Sequence, residues 1–513
     1  MSTSKYTTIP TESLLLYWQQ APSYIFLAAV TALGLLIVSL SSVSAHSKDP
    51  YIHHLRGLQI VHAWRFFTKR HDFITGKFRR ITKDAFEFYV NQHRVVAIRG
   101  ETMRKIFYNE PNISMIQGHQ FLIGAAPSLD DIKVTEEKDE DLNAGFMKRL
   151  LVVQHKDRVT SLIPDLLQHI DRHFKGLGKE GLFDPFKEAN DIIFETTARL
   201  SACRELAENK DAMRKLINVF SALEEGTSPT SILFPWLPNS SRNLRTNATG
   251  SLYQILNSYV DGRRNDPEQT SDAIDVFIAD GCSNPTIVTT IMNILFAGVI
   301  NTGVNTGWAL VHLGLKPEYK AKAISELKSL FEIHATNQSR GSLHDQLSSI
   351  PLAAWEMNTP VLEAIIRETL RLTMTSAPNR RVMDTEFRLG NVVVNKGEFV
   401  TYLQADAHLN PAIYPNPYSF DADRYGPGRE EDKNEAYCYL GWGAGRHVCA
   451  GMKTAKLEIK MVLAMLLLGY DYQVVDEQGN APKSVPRVNR NDHHQPRPVP
   501  EDKVYIKFKR IVD

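Results

Sequence analysis

The stretch Trp442-Gly443-Ala444-Gly445-Arg446-His447-Val448-Cys449-Ala450-Gly451 constrains this chain more than any other. It sets one cysteine in a glycine-spaced loop and runs straight into an apolar helical segment, Met452 to Leu468. Glycines this close allow a tight backbone and a close approach to a flat ligand. A cysteine thiolate held there is a soft, strong ligand for iron.

About 150 residues earlier by sequence count, Ser283-Asn284-Pro285 supplies a capping side chain and a first-turn proline. Residues 286–300 follow as a segment that is apolar all round, which predicts a helix buried on every side. At its centre stands Phe296-Ala297-Gly298-Val299-Ile300-Asn301-Thr302-Gly303. Between this helix and the cysteine loop lie two arginine motifs. Glu368-Thr369-Leu370-Arg371 falls on a predicted helix, Val361 to Leu372, and a spacing of three puts Glu368 and Arg371 on one face. Phe420-Asp421-Ala422-Asp423-Arg424-Tyr425 follows. Thr375-Ser376-Ala377-Pro378-Asn379-Arg380-Arg381 and His408-Leu409-Asn410-Pro411 connect the two.

Composition narrows the class. The 513 residues are 43% hydrophobic and carry a formal charge of +1, which leaves no electrostatic footprint for nucleic acid. Cys203, Cys282, Cys438 and Cys449 have neither disulfide nor zinc spacing, which suits a reducing compartment. Residues 23–45 carry no charge and are long enough to span a bilayer. Lys48, Arg56, Arg65, Lys69 and Arg70 follow them, which places the body in the cytosol and residues 1–22 across the membrane. The alternative is a cleaved signal peptide ending at Val43-Ser44-Ala45; the length of the run and the side on which the basic residues lie favour the anchor. The sequons at Asn112, Asn239, Asn247 and Asn337 would then stay unused.

Residues 46–75 read as a linker. Phe86 to Val90 and Val95 to Ile98 alternate as strands, and Thr102 to Phe107 reads as helix. Residues 111–134 read as a loop, and the acidic run 136–141 as a solvated face. Residues 142–270 are helical in period, broken at Gly176–Gly181 and at Gly226–Pro238. The second break carries Phe234 and Trp236 among prolines, as either a packed loop or a membrane-dipping one.

The motif order resembles that of the cytochrome P450 family, over roughly residues 50–510. The family's haem loop runs aromatic-Gly-x-Gly-x-basic-x-Cys-x-Gly, and Trp442, Gly443, Gly445, His447, Cys449 and Gly451 fill those slots. The resemblance implies a mainly α fold with small β-sheets (α+β) behind an N-terminal transmembrane helix, the catalytic domain spanning 76–513. It implies haem b with Cys449 as axial thiolate. It implies a buried Glu368–Arg371–Arg424 network that fixes the loop. Arg381 is the expected partner of a haem propionate, with Arg380 second. His155 and Arg158 match a helix that touches a propionate in the family, with two ordinary surface residues as the alternative.

The central helix departs from the family's Ala/Gly-Gly-x-acid-Thr-Thr segment: Ile300 stands for the acid and Asn301 for the first Thr. Asn301 can hydrogen-bond oxygen or water but cannot shuttle a proton by ionising. Thr302 supplies a hydroxyl about 100° round the helix. Asn301 and Trp442 together resemble the sterol 7α- and 12α-hydroxylase and prostacyclin synthase branch. Asn301 and Thr302 are the expected catalytic residues. The implied activity is a monooxygenase acting on a lipophilic small molecule, of terpenoid or steroid type in secondary metabolism. Electrons would come from NADPH through a separate reductase docking near Arg446, Lys453 and Lys456. The setting is the endoplasmic reticulum membrane, with fungal members the nearest in character. Two alternatives stand beside it: an isomerase or dehydratase acting on a peroxide, and a membrane haem protein without turnover.

Overall fold

The computed structural model describes residues 27–28, 30–34, 49–118, 132, 142–234, 239–265, 272–334, 341–492 and 495–512. Within the expected anchor, 27–28 and 30–34 are helical; the rest of 23–45 lies outside the described residues, as do the acidic run and Trp236. The architecture is mainly helical with small sheets, as the sequence predicts.

The central helix, Asn284–Leu315, organises the body. Ser283 Oγ accepts from the Thr286 amide, and Pro285 sits in the first turn. Among the described residues this is the helix long and apolar enough to cross a membrane, but most of it is buried in protein, so it is a core helix. Helix Pro185–Ser201 packs along it. The approach is close because Gly303 has no side chain: a Cβ there would stand 2.9 Å from Asn190 Cα. The helix Met452–Gly469 after the cysteine loop buries an almost continuous face, Leu457 to Leu467, against the same layer.

A six-stranded sheet flanks the helical body in the order His53–His54, Ala85–Val90, His93–Ile98, Phe399–Tyr402, Asn379–Val382, Ile113–Ser114. Residues 46–75 are not a free linker. Gln59–Thr68 and Arg70–Phe78 are helices, and Ala63, Phe66, Phe67, Phe73 and Ile74 bury against Phe86 and Phe88 of the sheet. The apolar spacing of those residues is amphipathic, so the packed body begins well before residue 76. A second sheet joins Tyr470–Val475, Tyr505–Arg510 and Glu180–Phe183; the last of these overlaps the break expected at Gly176–Gly181.

Beneath the cysteine loop lies the arginine network. Arg371 grips Glu368 through two bonds, Nε–Oε2 and Nη2–Oε1, both 2.8 Å. Arg424 Nε reaches Glu368 Oε1 at 3.1 Å, and Tyr425 Oη donates to Oε2 at 3.0 Å. The remaining guanidinium donors reach the backbone carbonyls of His408 and Pro417 for Arg371, and for Arg424 those of Pro415 and Asn416 together with the Glu431 carboxylate. Glu368 and Arg371 are fully buried. A charge cluster this dry persists only when each partner is satisfied.

Candidate functional site: the cysteine loop and the open face of the central helix

The loop's shape follows from its glycines. Gly443 and Gly445 have φ of +74° and +56°, in the region that penalises side chains. A Cβ at Gly443 would lie 2.2 Å from His447 O, and one at Gly445 2.3 Å from Tyr108 O. The Cys449 amide donates to Trp442 O at 2.7 Å, which closes the loop. Cys449 is exposed, yet burial among its neighbours pushes its thiol up, while an N–H from Gly451 works the other way. Trp442 is half-buried against the main core, with Lys456 Nζ 5.6 Å from its ring centroid.

One helix, Leu142–Val153, ties the central helix to this loop. Arg149 Nε, on helix Leu142–Val153, donates to Thr290 Oγ1 at 2.8 Å. Gln154, just past that helix, lies against Gly451. Within Leu295–Leu313, Ala297 and Asn301 are the exposed residues, one turn apart; Phe296 and Gly298 are partly buried and the rest buried. They form its open face. Thr302 is 5% exposed and points into the packing. The two residues expected to act together therefore have different surroundings: Asn301 is reachable, Thr302 is not.

Buried basic side chains stand beside the loop. Arg380 is 3% exposed, and burial pushes its pKa down to about 10. Its Nη1 reaches Asn379 O at 3.2 Å, while its Nε and His447 Nε2 are buried and find no partner among the described residues. His447 is pushed down to about 4 by burial and then by the charges of Arg380 and Arg446. A buried guanidinium with no carboxylate beside it among the described residues calls for an anionic partner, and the neutral His447 ring for a hydrogen-bond partner. A flat ligand carrying carboxylates, set against the cysteine, would supply them.

Arg381, the first choice from the sequence for a propionate partner, stands apart from this group. Successive strand residues face opposite ways. Arg381 pairs with Phe399 and its guanidinium lies 5.6 Å from that ring, on the other side of the sheet. Arg380 lies over Phe107, on the loop's side. His155 is exposed, and Arg158 faces Asp272 and Arg199. Cys438 is buried, with Sγ 3.0 Å from Asp432 O.

Glu458, on the helix after the loop, carries no obvious sequence signal. It is 3% exposed and accepts from Thr196 Oγ1 at 2.8 Å and Thr197 Oγ1 at 3.2 Å, and Thr197 touches the central helix at Gly298. Burial pushes its carboxyl up from 4.5 to about 7. The native state thus keeps a proton that the unfolded chain releases. Its stabilising contribution is full below 4.5 and is lost as pH rises to about 7. At ~1.4 kcal/mol per pKa unit the loss is roughly 3 kcal/mol. Urea midpoints measured from pH 4.5 to 7.5 should show this decline in the native chain and a shallower one in Glu458→Gln. Parallel curves would refute it.

The comparisons agree with this geometry. The family model for cytochrome P450 matches residues 66–491. Cytochrome P450 monooxygenase AacuE of Aspergillus aculeatus is 27% identical over 462 residues, covering 88% of this chain and 92% of its own. Cytochrome P450 monooxygenase nsrP of Aspergillus novofumigatus is also 27% identical, covering 86% and 89%. The sterol 14alpha-demethylase of Mycolicibacterium vanbaalenii is 27% identical, covering 82% and 89%. Among solved structures, a retinoic acid-bound cyanobacterial CYP120A1 shares the fold, with a TM-score of 0.70 over 91% of this chain and all of that one, at 18% identity. The chain belongs to the cytochrome P450 family of monooxygenases.

Proposed function

We propose that this chain is a haem-thiolate monooxygenase that oxidises a lipophilic small molecule of terpenoid or steroid type, with electrons from NADPH through a separate reductase. Three observations carry it: the reachable Cys449, the unsatisfied buried atoms of Arg380 and His447, and the open Ala297–Asn301 face. Two relatives named above are fungal monooxygenases and one is a sterol demethylase, which supports a fungal setting and a lipophilic substrate.

In this reading Cys449 would hold the haem iron through its thiolate, and Gly443, Gly445 and Gly451 would let the backbone come close to the flat group. Trp442 covers the loop from the core side. Arg380 and His447 would hold its propionates. Haem held by a thiolate would supply the chemistry of O–O bond cleavage. The chain's own part is to orient substrate, exclude water and manage protons. Ile300, in the acid's place, cannot supply a proton. The Asn301 side-chain amide can donate a hydrogen bond or hold a water, so protons must pass through water held there. A residue-level consequence follows for haem retention. Arg380→Leu should lower haem content on gel filtration several-fold at unchanged fold, and Arg381→Leu should leave it near the native value. The reverse order would return the propionate role to Arg381.

The absence of both acid and first Thr supports a second reading, an isomerase or dehydratase of peroxides that needs no reductase. A terpenoid and steroid panel, incubated with NADPH and a fungal reductase, tests the first. Product that requires both NADPH and reductase supports it. Turnover of a hydroperoxide without either would replace it with the second.

The membrane anchor at 23–45, with the body at the cytosolic face of the endoplasmic reticulum, belongs to the same proposal. The exposed side chains of Val61 and Trp64 on Gln59–Thr68 support a membrane-facing body.

A further inference from the structure

Asn305 lies one turn beyond Asn301 and is 2% exposed. Its Nδ2 donates to the carbonyl of Asn301 at 2.7 Å. Its Oδ1 lies 2.5 Å from Thr373 Oγ1, whose single hydroxyl proton it shares with the carbonyl of Thr369 at 2.8 Å. The amide's orientation is fixed, because only nitrogen can donate to the Asn301 carbonyl. Thr373 ends the helix Pro360–Thr373, which carries Glu368 and Arg371.

The path continues from the next residue. His408 Nδ1 lies 2.9 Å from Met374 O, and His408 Nε2 accepts from the Leu440 amide at 2.7 Å. Both ring nitrogens thus have set roles: Nδ1 carries the proton and Nε2 does not. Arg371 holds the His408 carbonyl at 2.6 Å. Leu440 O in turn accepts from Gly443 N at 3.0 Å, where the cysteine loop begins. A continuous path of hydrogen bonds and short backbone steps therefore links the Asn301 turn to the loop.

A side chain that bonds the carbonyl four residues back competes with the helix ladder and bends the turn. Here the competing amide is anchored from outside by Thr373. The turn that presents Asn301 is set by another helix as well as by its own backbone. We propose that Asn305 is a positioning residue: with Thr373 it fixes the turn presenting Asn301, and through Met374 and His408 it ties that turn to the loop of Cys449. The inference rests on the reading of Asn301 as the group that faces the bound oxygen.

The test uses carbon monoxide on the reduced, full-length holoprotein, read by its infrared stretching band. That band responds to hydrogen-bond donors beside the ligand's oxygen and needs no substrate. Asn301→Ala should move it. Asn305→Leu and Thr373→Val should move it the same way by at least half as much, and Thr373→Ser, which keeps the hydroxyl, should restore it. A pair that only stabilises the fold would lower the unfolding midpoint and leave the band in place. If Asn301→Ala moves the band while Asn305→Leu and Thr373→Val do not, the positioning role is overturned and the reading of Asn301 stands. If Asn301→Ala leaves it unmoved, the reading of Asn301 fails and the inference falls with it. Should Asn305→Leu not load haem, the Thr373→Val and Thr373→Ser pair decides by the same comparison.

Discussion

Cys449→Ser should abolish the thiolate-ligated carbon monoxide difference band while leaving the circular dichroism spectrum close to native. The loop's shape does not depend on sulfur. It depends on the Cys449 amide reaching Trp442 O, the Met452 amide reaching Cys449 O, and the positive φ of Gly443 and Gly445. Serine keeps those backbone contacts. It loses the soft donor, and a hard oxygen does not replace a thiolate on haem iron. Burial pushes the Cys449 thiol up, so ligation must release a proton as the metal binds. The loss should be complete rather than partial, because no other cysteine sits in the loop, and Cys203 and Cys438 are buried in packing. A band that survives the substitution would assign the ligand to another residue.

Glu368→Leu should have the largest effect on stability. The carboxylate accepts from Arg371, Arg424, Tyr425 and the Asp421 amide. Without it two guanidinium groups, each 1% exposed or less, keep their charge in a dry interior. Breaking such a cluster costs about 3–5 kcal/mol. Part of Arg424 survives through Glu431 at 2.7 Å, so Arg371 bears most of the loss. Arg371→Lys should do nearly as much harm, since an ammonium cannot replace a fork that grips Glu368 by two bonds and also reaches two carbonyls. Urea unfolding of the purified variants measures this. A change below about 1 kcal/mol, the scale of a surface pair, would show that the network is not the support claimed for it.

The cysteine loop, the central helix and both arginine motifs are legible because each is local in sequence. Caps, glycine spacing and a one-turn offset are read within a few residues. Periodicity predicts a helix from Val361 to Leu372, and Pro360–Thr373 is observed; it predicts Met452 to Leu468, and Met452–Gly469 is observed. What depends on distant pairing is not legible. Which of Arg380 and Arg381 faces the loop is set by the register of Asn379–Val382 against Phe399–Tyr402. Neither residue's neighbours in sequence carry that information. The strands Tyr470–Val475 and Tyr505–Arg510 pair across a connection too long for any turn within it to set their register. Asn305 and His408 are visible as letters, but their work lies in contacts 68 and 32 positions away. The likeness to the sterol 7α- and 12α-hydroxylases rests on Asn301 and Trp442; the relatives described above are fungal monooxygenases and a sterol 14alpha-demethylase.

Ile300 and Asn301 make oxygen activation the point on which the function turns. The most direct measurement is the isotopic content of the product made by the full-length chain with NADPH, reductase and oxygen-18 dioxygen. One labelled oxygen atom in each hydroxylated product is the expected result. Unlabelled product, or product formed from a hydroperoxide without reductase, would contradict a monooxygenase.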